Sequence, residues 1–189
     1  GPDEITTSIY PISQGYLHFG SARLSITGLD DGHMPMEDEK GNALIYNGEI
    51  YELDNLRSKY SLDNDSKSDT RHLLRILSKQ KIEEIDNLNG MYAFAYFEKE
   101  NERIILGRDK LGIKPLYFGS NSRYKFYFSS EIKSLVNHNF IEKRISENSI
   151  KNYLYLGGLN SFDALFKELD VQEPGSFSEY RKDKIIKNT

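Results

Sequence analysis

Residues 91–97 read MYAFAYF, seven consecutive positions with almost no polar face, and this run decides the fold class. Side chains of a strand alternate between two faces, so a strand that is apolar on both must be covered on both. The charged turn EKENE (98–102) hands it to RIILGR (103–108), and the two segments predict a hairpin. Further on, PLYF (115–118) and YKFYFS (124–129) predict two more strands. On the N-terminal side, YLHFGSARLSI (16–26) alternates apolar and polar residues and predicts two short strands around Gly20. ALIYNGEIY (43–51) sets Asn47-Gly48 between apolar-aromatic arms, the pattern of a hairpin with a type I′ turn.

Helices fall between these hairpins as blocks. Residues 52–60 form a short one with Leu53, Leu56 and Tyr60 on one side. After Ser68-Asp69-Thr70, the residues Leu73, Leu74, Ile76 and Leu77 recur at helical spacing, so Ser68 or Asp69 is the N-cap. Short helices are predicted over Ile82–Leu88 and Glu131–Val136. Ser146 caps another that carries Ile150, Tyr153 and Leu154 and ends at Gly157-Gly158. From Asp163 the pattern gives a last weak strand or two and then a charged, frayed end. Antiparallel hairpins with helices inserted between them make an α+β protein rather than a doubly wound parallel sheet.

The 189 residues suit one domain, or one and a half, with a sizeable core. A net charge of −4, with the signs mixed, argues against a nucleic-acid footprint. No apolar run approaches the roughly 20 residues of a membrane span. The absence of cysteine excludes disulfides, thiolate metal sites and a cysteine nucleophile within these residues, and it fits a cytoplasmic protein. His18, His33, His72 and His138 show no metal-ligand spacing, so no metal is expected. Neither a glycine-rich nucleotide loop nor a G-x-S-x-G elbow occurs.

Three places carry candidate chemistry. Asn47-Gly48-Glu49 is either a plain turn or a side-chain amide and a backbone N–H aimed together at a developing oxyanion. Asp69 is either a helix cap or a carboxylate that pairs with a ligand ammonium. Arg23 sits in a strand-like segment, where a bidentate clamp on a carboxylate of the protein or of a ligand would satisfy its guanidinium.

In order and wording the chain resembles the class II glutamine amidotransferase domain at the N-terminus of glutamine-hydrolysing asparagine synthetases. The stretches that carry the resemblance are Gly1-Pro2-Asp3, ARLSI (22–26), GHMPM (32–36), YNGEIY (46–51), SDT (68–70), LNGMYAFAYF (88–97), GRDKLGIKPLYF (107–118) and SSEIKSL (129–135), with a closing pattern of Tyr153, Leu154, Phe166 and Pro174-Gly175. They run through nearly all of residues 1–189, which are therefore expected to be one such domain. The resemblance implies a four-layer αββα sandwich of antiparallel sheets of the N-terminal-nucleophile type, lacking its first strands in these residues. It implies that Arg23 holds the α-carboxylate of glutamine, that Glu49 and Asp69 receive its α-ammonium, and that Asn47 and Gly48 form the oxyanion hole. Arg108, Asp109 and Lys114 belong to a loop read as structural.

The family's nucleophile is a chain-terminal cysteine whose own α-amine is the base, and it is not among these residues. The expectation is a longer protein carrying that cysteine upstream. A degenerate module that binds without cleaving and a cloning remnant at Gly1-Pro2 are the alternatives. The implied activity is hydrolysis of glutamine to supply ammonia to an ATP-dependent synthetase domain or subunit that makes asparagine. Service to another acceptor, in a polysaccharide or natural-product pathway, is the alternative. No cofactor is expected in this domain, and ATP and Mg are expected in the synthetase part. Neither nucleic acid nor membrane is expected as a partner, and a homodimer is compatible with the resemblance.

Overall fold

The structure, a computed structural model, describes residues 4–23, 32–62, 66–79, 82, 85, 88–123, 126–158, 163–181 and 184–188. The chain divides into two compact units, residues 1–90 with 94–105, and residues 91–93 with 106–189. The described strand ladders are antiparallel and the helices lie between them, so the α+β class holds.

In the first unit, β1 (Glu4–Ile12) and β2 (Gly15–Arg23) pair from Glu4↔Arg23 to Ile12↔Gly15. The expected break at Gly20 is absent. Gly20 sits opposite Thr7 inside one continuous strand, and the turn falls at residues 13–14 instead. β3 (Met36–Glu37), β4 (Ala43–Ile50), β5 (Gly90–Glu98) and β6 (Arg103–Arg108) are neighbours in that order. Residues 92–98 are all buried, as an apolar run without a polar face requires.

Two helices belong to this unit, α1 (Leu53–Tyr60) and α2 (Asp69–Ser78). α2 starts where the Ser68 hydroxyl accepts the Arg71 N–H at 3.3 Å, one of the orphan donors of a first turn. It buries Leu73, Leu74, Ile76 and Leu77. At its far end the Ser78 hydroxyl donates to Asp38 at 2.6 Å. That carboxylate also accepts from the Lys40 and Asn42 backbone and from the Asn42 side chain, which closes the turn between β3 and β4. Ile82 and Ile85 are buried in 3₁₀ conformation; the rest of the helix expected over 82–88 lies mostly outside the described residues.

In the second unit, β10 (Phe177–Arg181) and β11 (Lys184–Asn188) follow β6, and β7 (Tyr117–Gly119) lies between β8 (Tyr127–Ser129) and β9 (Asp170–Val171). The tail expected to fray is instead a paired hairpin, Phe177↔Asn188 to Arg181↔Lys184. α3 (Ile132–Asn137) contributes Leu135 to a core with Tyr127, Ile141 and Leu169. α4 (Glu147–Leu156) is capped by Ser146 and ends at Gly157, which adopts a φ of 75°. Its apolar side is not its packed side. Ser149 is buried and donates to the Ala164 carbonyl, and Asn152 donates to Asp163, while Tyr153 and Leu154 are exposed.

The loop GRDKLGIKP of this unit is a closed knot. Asp109, 1% exposed, accepts from the backbone N–H of Tyr92, Leu111, Ile113 and Lys114 at 2.9–3.2 Å. Arg108 beside it donates to the carbonyls of Gly112, Lys114 and Gln172. Burial pushes the Arg108 guanidinium below its ordinary value, and the Asp109 charge opposes that shift.

Candidate functional site

The candidate residues lie on three elements of the first unit. β4 touches both β2 and α2, so the strand holding Asn47, Gly48 and Glu49 adjoins the strand that ends at Arg23 and the helix that begins at Asp69. Asn47-Gly48 is not a hairpin turn. β4 runs unbroken from Ala43 to Ile50, and of the pair only Gly48 has a positive φ, 152°, whereas a type I′ turn needs it at both. The strand persists because Leu44, Tyr46 and Ile50 are all buried along it, an anchoring that a reversal at residue 47 would break. Gly48 then serves as a local irregularity that a residue with a Cβ would adopt only under strain. Asn47 is exposed, and Gly48 and Glu49 are half-buried.

Asp69 is 6% exposed at the first turn of α2. Ser68, not Asp69, supplies the cap. The Asp69 Oδ2 accepts from the Tyr46 hydroxyl at 2.8 Å and the Ile50 N–H at 3.1 Å, and Oδ1 accepts from the Thr70 N–H at 2.7 Å. The helix N-terminus and these dipoles offset part of its desolvation. No cation pairs with it among the described residues. Asp69 therefore joins directly to both ends of the YNGEI segment. For Arg23 the structure gives the backbone, opposite Glu4 in the ladder; its side chain lies outside the described residues.

Two features of the surroundings went unread in the sequence. Gly90 lets β5 approach the end of β4 so closely that a Cβ there would lie 2.4 Å from the Glu49 carbonyl oxygen and 2.9 Å from the Ile50 Cα. The Tyr51 N–H donates to the Asn89 carbonyl at 2.8 Å just beside it. The second feature is Tyr46 itself, whose place next to Asn47 was the available signal. Further along α2, the Arg57 Nε donates to His72 Nε2 at 3.1 Å. Among the described residues no group of three or more His, Asp or Glu could hold a metal, and no helix is long and apolar enough to cross a membrane.

A family model described as a glutamine amidotransferase domain matches residues 1–189. A putative glutamine-hydrolysing asparagine synthetase 2 of Methanocaldococcus jannaschii is 32% identical over 185 residues, covering 88% of this chain and 36% of the relative. Asparagine synthetase 1 of Bacillus subtilis is 35% identical over 185 residues, with 92% and 28% covered. Asparagine synthetase B of Escherichia coli is 36% identical over 139 residues, with 72% and 24% covered. The chain thus spans about a third or less of the length of these relatives. Among solved structures, the glutamine phosphoribosylpyrophosphate amidotransferase of B. subtilis in complex with ADP and GMP shares the fold at a TM-score of 0.57 and 20% identity, covering 89% of this chain and 34% of that one. The fold is the α+β amidotransferase fold of the N-terminal-nucleophile type, and the chain belongs to the glutamine amidotransferase domain family.

Proposed function

We propose that the chain binds free glutamine and is the part of a larger enzyme that releases ammonia from it, for use by an ATP-dependent synthetase part that converts aspartate to asparagine. The observation that carries this reading is Asp69, a buried carboxylate that among the described residues is held by dipoles alone, beside the YNGEI segment. Burying an anion without a cation is unfavourable, and the α-ammonium of an amino acid would supply one.

In this reading Asp69 and Glu49 receive the α-ammonium and Arg23 takes the α-carboxylate. The Asn47 amide and the Gly48 N–H meet the side-chain carbonyl oxygen as it gains charge. A thiolate adds to the amide carbon, the negative charge moves to that oxygen, and the tetrahedral intermediate collapses as the protonated nitrogen leaves as ammonia. Water then cleaves the thioester to give glutamate and restores the thiol. The 189 residues contain no cysteine, so they supply binding and oxyanion stabilisation while the thiol comes from another residue, a cysteine at a chain terminus in the family the chain resembles. ATP and Mg act in the synthetase part, and none of these steps runs through them.

The test compares glutamine-dependent with ammonia-dependent synthesis in the full-length protein carrying Asp69→Asn. The glutamine KM should rise by about tenfold or more, as loss of a charge-assisted contact implies, while ammonia-dependent synthesis stays near wild type. Equal losses in both would make Asp69 a purely structural residue and defeat the reading.

A further inference from the structure

We propose that Tyr46 is a positioning residue for glutamine, acting through Asp69; the inference rests on the glutaminase reading above. Rotation about the last torsion of an aspartate is broad, so the plane of its carboxylate is set by the donors around it. Of the four donors to Asp69 among the described residues, two are backbone N–H groups, those of Ile50 and Thr70, and a third is the Thr70 hydroxyl at a long 3.4 Å. The remaining one, at 2.8 Å, is the Tyr46 hydroxyl. Tyr46 is 7% exposed, so it does not compete with bulk water for this contact. Its backbone is fixed as well, because it lies in mid-strand in β4 with its N–H on the Met34 sulfur at 3.2 Å.

Position in the chain gives this bond its purpose. Tyr46 directly precedes Asn47, so one strand carries both the proposed oxyanion donors and the hydroxyl that orients the proposed ammonium acceptor. The acceptor belongs to a different element, α2. Together with the Ile50 N–H of the same strand, the Tyr46 hydroxyl fixes how the Asp69 carboxylate faces β4, and with it the span between the two ends of a bound glutamine. A phenylalanine would fill the same space and lose the hydroxyl that donates to Asp69.

The experiment is Tyr46→Phe in the full-length protein, with glutamate release followed against glutamine concentration and the melting temperature measured alongside. The glutamine KM should rise about tenfold, the effect of one hydrogen bond to a charged group, with kcat within twofold of wild type. The same substitution on an Asp69→Ala background should add little to the glutamine KM, because the proposed effect of the hydroxyl on glutamine passes through Asp69. An unchanged KM, a fall in kcat alone, or full additivity with Asp69→Ala would each overturn the proposal. If the wild-type protein releases no glutamate from glutamine, the glutaminase reading fails and this inference falls with it, whereas wild-type turnover with an unchanged Tyr46→Phe KM removes the inference alone.

Discussion

Replacing Gly90 by alanine tests whether the packing behind β4 governs the candidate site. The new Cβ would stand 2.4 Å from the Glu49 carbonyl oxygen and 2.9 Å from the Ile50 Cα. Both are backbone atoms, so no rotamer change relieves the overlap. The Glu49–Ile50 peptide has to retreat by about 1 Å to regain van der Waals separation. Overpacking of this kind costs typically 1–3 kcal/mol, and the reduced freedom of the unfolded chain returns about 0.5–1 kcal/mol. The net loss should be about 1 kcal/mol, which for a chain of this size lowers the melting temperature by about 2–4 °C. The displaced peptide carries the Ile50 N–H, which donates to Asp69 at 3.1 Å and would pass beyond hydrogen-bond range. In the full-length protein the glutamine KM should therefore rise about tenfold at temperatures where the variant is still folded. A melting temperature within 1 °C of wild type would refute the steric argument. A lowered melting temperature with unchanged KM would refute its transmission to the site.

Asp109→Ala should destabilise the protein by at least about 3 kcal/mol, since four N–H groups lose a buried acceptor at once; thermal melts and accelerated proteolysis within residues 109–114 would report it. Burial acts to raise the Asp38 pKa, but hydrogen bonds from Ser78, Asn42 and Lys40 prevail and hold the carboxyl below its ordinary value. A group depressed in the folded state contributes stability that is present above its unfolded pKa and is lost as pH falls through the folded one. Ser78→Ala should thus cost about 1 kcal/mol at pH 7, with the difference from wild type shrinking below about pH 4, the unfolded value of an aspartate, in denaturant titrations at each pH.

Periodicity made α2 and the buried β5 legible, because in both the apolar residues that set the period are also the ones that pack. Over β1 it predicts no strand, and in α4 it marks the wrong face, because there this coincidence fails. In β1 the outward positions are Ile5 and Ile9, 74% and 59% exposed, while Thr6 and Ser8 are less exposed and Tyr10 is buried. α4 is inverted in the same manner, with Ser149 inside and Leu154 outside. The Asn47-Gly48 pair failed for another reason: Asn-Gly encodes a local backbone option, and the burial of residues on both sides of it fixes a strand instead. The candidate site was legible as a list of residue types, chiefly through the resemblance. The contacts that join it, Tyr46 and Ile50 to Asp69 and Gly90 to Glu49, are long-range and follow no spacing rule.

Asp69 and Asp109 show what the three-dimensional surroundings can decide. Each is an aspartate at the start of a segment, each is almost fully buried, and each accepts backbone N–H groups. In the sequence it is the resemblance that tells them apart, SDT as a ligand site and GRD as a structural loop. Asp109 has four backbone donors and the Arg108 charge close enough to be felt, so its environment is complete without a ligand. Asp69 has a phenol and two amides within 3.1 Å and no cation among the described residues. A charge with its counter-charge is the mark of a structural knot, and an equally buried charge without one is the mark of a place that a cation completes. Exchanging the two carboxylates for amides, one at a time, should separate them. Asp109→Asn should lower the melting temperature with and without glutamine alike, whereas Asp69→Asn should remove most of the stabilisation that glutamine binding confers on the wild type.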